Sequence, residues 1–311
     1  MPDSFEHQHV TPNEVAAFQD EVDLVHAHRW FECGQAAHTY ANAKQIPYVV
    51  DVVQSDLDSY HKSFVFNKKN AENVLLDAAK VVFTAPSQED FLAQHLPSKV
   101  ANTVFAKSSL LYEPLESFWL ENLHIHPPTA LVHIKLLYVG PFVEESRIND
   151  VIHAMKKLQK HNYPVTLTAV ETLEDVVDGR YRQKMLADAV KSGCFKALQT
   201  GSNEGLRDIY RSHDILLLPH AETLQRYAEA LSQGLPVLYA PNGICDGVFK
   251  EGQAGYAVNP KNSDDLVKTI LNVSSLFGTI EQQIMRIHPL GLFDAKEQAR
   301  QWEHLFENAL R

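Results

Sequence analysis

The sequence predicts two doubly wound, Rossmann-like α/β domains with parallel sheets, the N-terminal one reduced in size. Short apolar runs alternate with amphipathic stretches in two successive series, which is the pattern of strand, helix and strand units. Several of the apolar runs are near-continuous, as in Ile215-Leu216-Leu217-Leu218 and Leu235-Pro236-Val237-Leu238-Tyr239, which suits central strands covered on both faces. Between the series, the segment 113–129 carries Pro114, Pro127 and Pro128 and reads as a linker. With 311 residues, 45% of them hydrophobic, the chain can fill two cores.

In the first domain, 1–130, strands are predicted at 22–26, 47–53, 80–84 and, from the apolar Val104-Phe105, at 102–105, with helices at 34–44 and 71–79. The second domain, 131–292, has predicted strands at 133–140, 165–170, 195–199, 215–218 and 235–239, and a short edge at 255–258. Its helices are predicted at 148–161, 180–191, 203–211, 223–233 and 264–272. Gly234, just past the fourth of these, is a usual helix stop. A last amphipathic helix, 294–310, carries Trp302, Phe306 and Leu310 at helical spacing with no strand after it to pack beneath, so 293–311 is expected to cross back to the first domain.

Composition excludes several classes of function. A net charge of −11, with a pI near 5.8, argues against general nucleic-acid affinity, which rests on clustered Lys and Arg neutralising phosphates. The three cysteines, Cys33, Cys194 and Cys245, are odd in number and far apart, so neither a disulfide framework nor a zinc site is expected. The polar, acidic start and the lack of any spanning-length apolar run predict a cytoplasmic protein. Peripheral membrane contact stays open, although no strongly basic amphipathic helix is present.

The candidate site lies in 214–260. Ligands of open parallel sheets bind beyond the carboxyl ends of the strands, where His220, Glu222, Asn242 and Gly243 fall. In the first domain His26 and His28 are two apart and share a face if the strand extends that far. A metal on that pair is disfavoured because no third ligand is evident nearby.

Four segments, in order, carry a resemblance to glycosyltransferase family 4 on the GT-B fold: DLVHAH with the strand PYVVDVV after it, KLLYVGPFVEESRINDVIHAM, the stretch 214–230, and GLPVLYAPNGICDGVFKEGQAGYAVNP. What the resemblance implies is a retaining enzyme that moves a sugar from a nucleoside diphosphate, UDP- or GDP-linked, to a hydroxyl acceptor without a metal or other cofactor. It also suggests a role in cell-surface polysaccharide or glycolipid assembly. Members of the family carry two glutamates on the donor, spaced one residue further apart than Glu222 and Glu229, which have six residues between them. Carboxylates suit the task because each accepts hydrogen bonds from vicinal hydroxyls. Glu222 either meets the sugar or caps the helix start, whose dipole favours an acid; Glu229, within an apolar stretch, is assigned to the donor.

The phosphate-binding elements depart from the family. Gly140-Pro141 and Ser146-Arg147 stand where a basic pair is usual, with Arg147 one residue past the expected lysine. Arg147 either clamps the diphosphate or pairs with Glu144 or Glu145 on a solvated loop. Helix N-termini after Gly140 and after Asn242-Gly243 are expected to supply N–H groups, with His220 and Arg226 as further candidates. The resemblance places His28 near the sugar, as a hydrogen-bond donor or a partner in proton sharing.

Family members open with a strand and glycine-rich loop ahead of the strand matching DLVHAH, whereas this chain starts almost at that strand. The expectation is a truncated gene, a partner chain that completes the domain, or a reduced domain. These departures also admit another class of function, a catalytically inactive, glycosyltransferase-like binding subunit that supports an active partner.

Overall fold

The computed structural model describes residues 6–125, 131–173, 176–177, 179–193, 195–221, 223–287 and 290–311. The chain forms two compact units, one of Met1–Pro114 with Leu292–Arg311 and the other of Leu115–Gly291. The division therefore falls at Pro114, ahead of the boundary expected near 130. The reason is that the segment read as a linker begins with a helix, Ser117–Glu121, whose Trp119 is buried against Tyr210 of the second unit.

The first unit runs β1 Val25–Ala27, α1 Gly34–Lys44, β2 Tyr48–Val52, α2 Gln54–Lys62, α3 Val65–Asp77, β3 Lys80–Phe83, α4 Pro86–His95, α5 Ser98–Phe105 and β4 Ser108–Leu110. Its sheet is parallel throughout, in the order β1-β2-β3-β4. The strand expected at 102–105 is helical instead. Val100, Ala101, Val104 and Phe105 repeat at helical spacing, and Ala101 and Val104 are buried under α3 and α4, so the 3.6-residue period outweighs β-branched propensity.

Strand alternation divides this unit into two apolar layers. Val50 and Val52 face α1 to α5, together with Val81 and Phe83. Val49 and Val82 point to the opposite face. That face is covered by the chain's last helix, through Leu305, Phe306 and Ala309. The helix begins at an Asp294 cap whose carboxylate accepts from the Glu297 N–H at 2.9 Å.

The second unit continues α6 Ser117–Glu121, β5 Ile134–Val139, α7 Ile148–Lys160, β6 Val165–Thr172, α8 Arg180–Ser192, β7 Phe195–Thr200, α9 Asn203–Arg211, β8 Ile215–Leu218, α10 Gln225–Ser232, β9 Val237–Tyr239, β10 Gly255–Ala257, α11 Ser263–Ser275 and α12 Phe277–Ile287; the terminal helix of the first unit, Ala295–Ala309, is α13. The sheet is six-stranded and parallel, in the order β10-β9-β8-β5-β6-β7. From β5 the chain winds first to β6 and β7 and then returns to β8, on the other side of β5. The topological switch point, where ligands of doubly wound sheets bind, thus lies between β5 and β8. At the sheet edge, a Cβ on Gly255 would meet the Val237 carbonyl oxygen at 1.7 Å, so only glycine lets β10 pair with β9 there.

Candidate active site

In the second unit, the expected donor residues fall at the carboxyl ends of neighbouring strands. Gly140 follows β5 directly and His220 follows β8 by two residues, so the two flank the switch point. Gly140 adopts φ +154°, and its N–H donates to the Val170 carbonyl at 3.0 Å, which ties the turn to β6. A Cβ at this position would lie 2.9 Å from the Tyr138 hydroxyl, which itself donates to the Pro141 carbonyl at 2.8 Å. The backbone here is bare and rigid, which is what close approach of a phosphate requires.

Arg147 sits at the N-cap of α7 with φ 57°. Its guanidinium reaches Asp150 only at 3.5 Å, with 37% of the side chain exposed, and neither Glu144 nor Glu145 is its ion-pair partner among the described residues. It is a weakly held cation at the start of a helix next to the switch point. His220 is exposed on the adjacent loop.

Three expectations are corrected. Asn242 and Gly243 follow β9 as anticipated, but no helix begins after them. The Asn242 N–H donates to the Asp246 carboxylate at 2.8 Å and the Gly243 N–H to the Ala240 carbonyl at 3.2 Å, so neither is available to an anion. Glu229, assigned to the donor, is fully buried in α10. Its carboxylate accepts from the Tyr210 hydroxyl, Gln225 Nε2 and, with both oxygens, Arg226 Nη1, all at 3.0 Å. These bonds occupy the acceptor positions of a carboxylate and leave none for a ribose hydroxyl. Burial holds the Glu229 carboxyl above its usual range even with Arg226 beside it. Glu222 lies outside the described residues.

The third correction concerns the first unit, where the apparent lack of a third ligand is overturned. Asp51 of β2 accepts from or shares a proton with His26 Nε2 at 2.8 Å, and its other oxygen lies 3.4 Å from His28 Nδ1. The potential ligand atoms of all three residues lie within 4.8 Å of one another. Period-2 alternation makes this possible: His26, His28 and Asp51 project from the sheet face opposite Ala27, Val50 and Val52, and parallel pairing of His26 with Val49 brings Asp51 alongside. The face is the one under α13, where Trp302 and Phe306 pack on the His26 ring at 4.7 and 5.4 Å between centroids.

The arrangement sorts the two imidazoles. His26 is enclosed, while 57% of the His28 side chain is exposed. The hydrogen bond to Asp51 raises the His28 pKa above its ordinary value against the cost of partial burial. Burial disfavours the charged form of Asp51, yet the His26 and His28 imidazoles outweigh it and its carboxyl sits below the usual range. His28 is therefore an accessible imidazole whose orientation and basicity are set by a buried carboxylate. Sequence reasoning passed over Asp51 because it lies inside a run of valines that reads only as a core strand.

At the end of β6, sequence reasoning named Arg226 as a candidate but missed Arg182, which stands beside it there. Arg182 of α8 binds the buried Glu171 through Nε and Nη2 at 2.7–3.0 Å, and Arg226 Nη2 donates to Thr172 Oγ1 at 3.2 Å. Two guanidinium groups thus stand at the carboxyl end of the strand next to β5.

The family model described as "Glycosyl transferases group 1" matches residues 130–277. No curated protein sequence matches the chain closely enough to count as a relative. Among solved structures, the chain is similar to sucrose-phosphate synthase from Thermosynechococcus elongatus, with a TM-score of 0.72 at 16% identity over 92% of this chain and 73% of that one. It is also similar to Anabaena HepE in complex with UDP, with a TM-score of 0.70 at 14% identity over 92% and 78%. A third similar structure, from E. coli and described as trehalose-6-phosphate bound with UDP-2-fluoro glucose, gives 0.65 at 10% identity over 96% and 75%. At such identities these likenesses bear on the fold. No helix among the described residues is long and apolar enough to cross a membrane. Residues 130–277 are thus similar to the group 1 glycosyl transferases, and the chain shares the two-unit parallel α/β fold of these solved structures.

Proposed function

We propose that the protein transfers a sugar from a nucleoside diphosphate donor, UDP- or GDP-linked, to a hydroxyl acceptor with retention of configuration, in the cytoplasm and in the assembly of a polysaccharide or glycolipid. The observation that carries the reading is the switch point between β5 and β8, flanked by the bare Gly140 turn, the N-terminus of α7 and the loosely held Arg147. UDP in HepE and UDP-2-fluoro glucose in the E. coli structure support a nucleotide sugar as the ligand of such a fold.

On this reading the first N–H groups of α7 receive the diphosphate, the bare Gly140 turn leaves room for its approach, and Arg147 offsets the charge that grows on it as the sugar departs. Glu229 acts on the donor only indirectly, as a positioning residue that holds Arg226 at the carboxyl end of β6. His28, oriented by Asp51, hydrogen-bonds a sugar hydroxyl or shares its proton. The scheme requires no metal; it uses orientation and fixed charge.

The test is thermal melting with UDP- and GDP-sugars. A stabilising shift with one donor class, lost in Arg147→Ala and unaffected by EDTA, is expected; no shift with any nucleotide sugar overturns the reading. The sealed Glu229 carboxylate favours one second reading, a binding subunit without turnover. Hydrolysis of the donor in the absence of acceptor separates the two, since only an enzyme releases the free sugar.

A further inference from the structure

The corner between α2 and α3 exposes three consecutive large apolar side chains, Phe64 at 84%, Val65 at 85% and Phe66 at 73%. Among the described residues no other run of adjacent apolar side chains is exposed in this way. Single exposed hydrophobes are ordinary, but a contiguous cluster at an exposed corner marks a contact surface. Helical periodicity does not account for it. α3 buries Ala71, Val74 and Leu75 on its inner face, and Val65 and Phe66 occupy its first turn, ahead of that stripe.

The charge around the tip is opposite to that of the chain. Lys62 and His61 end α2, and Lys68 and Lys69 follow within the next turns of α3, in a protein whose net charge is −11. Lys68 stacks its ammonium group over the Tyr60 ring at 5.0 Å, which keeps it beside the tip. The first turn of α3 holds no acidic residue and no side chain caps it, so its partial positive end is open. Of the neighbouring acids, Glu72 accepts from the Tyr60 hydroxyl at 2.8 Å, and Asp58 stands one turn before Lys62.

We propose that this tip docks the protein on an anionic lipid surface, with Phe64, Val65 and Phe66 entering the boundary between headgroups and acyl chains and Lys62, Lys68 and Lys69 engaging the headgroups. The combination decides between lipid and protein as the occupant. Lysine is depleted at protein interfaces, whereas apolar side chains flanked by lysines that stretch along them to reach phosphates are the signature of interfacial membrane binding. The surface belongs to the first unit and does not depend on the donor reading.

Flotation of the full chain with vesicles of phosphatidylcholine alone, or with phosphatidylglycerol added, tests the proposal. Binding only to the anionic vesicles, weakened by added salt, is expected. Phe64→Ser with Phe66→Ser should reduce partitioning by roughly tenfold or more. Lys68→Glu with Lys69→Glu should reduce it by about 25-fold or more, because each lysine near an anionic surface contributes roughly fivefold. Phe64, Phe66 and Lys69 are exposed and Lys68 is half-buried over Tyr60, and an unchanged melting temperature verifies the fold of both variants. Failure of the wild type to float with anionic vesicles, or equal flotation of wild type and variants, overturns the proposal. So does a wild-type dimer without vesicle binding that Phe64→Ser with Phe66→Ser converts to monomer, which would assign the tip to a contact between copies.

Discussion

Glu281 offers the sharpest physical test of the second unit. It lies on α12 with 1% of its surface exposed, and among the described residues neither carboxyl oxygen has a hydrogen-bond partner. The Asp214 carboxylate, which accepts from the Lys135 N–H at 2.7 Å, adds repulsion. Burial first, and Asp214 second, push Glu281 from 4.5 up to about 8, so it is protonated in the folded protein at neutral pH. In the unfolded chain it ionises near 4.5. Its contribution is therefore present in full below the unfolded value and is lost as pH rises towards 8. At about 1.4 kcal/mol per unit the full displacement corresponds to roughly 5 kcal/mol. Discounted for solvent screening, this is about 2 kcal/mol.

The perturbation is Glu281→Gln, which keeps the shape and removes the titration. Thermal melts should show the wild type losing stability relative to the variant between about pH 5 and about pH 9, by roughly 4–8 °C for a domain of this size. Parallel pH profiles for the two proteins would refute the argument that the carboxyl is buried and neutral.

Two further outcomes follow from the ion pairs. Glu229→Gln should cost about 2–4 kcal/mol in urea unfolding, because it removes one charge of a largely buried ion pair, and adding Arg226→Met should recover part of the loss. An unperturbed single variant would mean that the pair is not the closed unit described. Asp51→Asn should lower the titration midpoint of His28, followed by proton NMR of its ring, since the Asp51 hydrogen bond is the main cause of the raised value. A midpoint that stays in place would separate His28 from Asp51.

The sequence by itself determined the class of fold and most of its elements. Near-continuous apolar runs such as Ile215–Leu218 can only be satisfied with layers on both faces, and the periodicity of α7, α9 and α13 leaves a single stripe to bury. Local pattern also located the carboxyl ends of β5 and β8, because the turn residues Gly140 and Pro219 punctuate them. It failed where two periods compete, as at 102–105, and where a titratable residue hides in a core pattern, as Asp51 does.

What only the tertiary structure decided is which side chains meet. Glu229 looked available because one-dimensional spacing says nothing about Tyr210, nineteen positions away and hydrogen-bonded to it across the packing of α9 on α10. His26, His28 and Asp51 form one cluster through strand register, a property of pairing between segments and not of either segment alone. The apolar tip at Phe64–Phe66 is likewise invisible in sequence, since an apolar triplet is assigned to a core until the fold shows that nothing covers it. Local propensity and periodicity fix elements because their energetics act over a few residues; long-range contacts fix the charge state and exposure of each side chain, and with them its function.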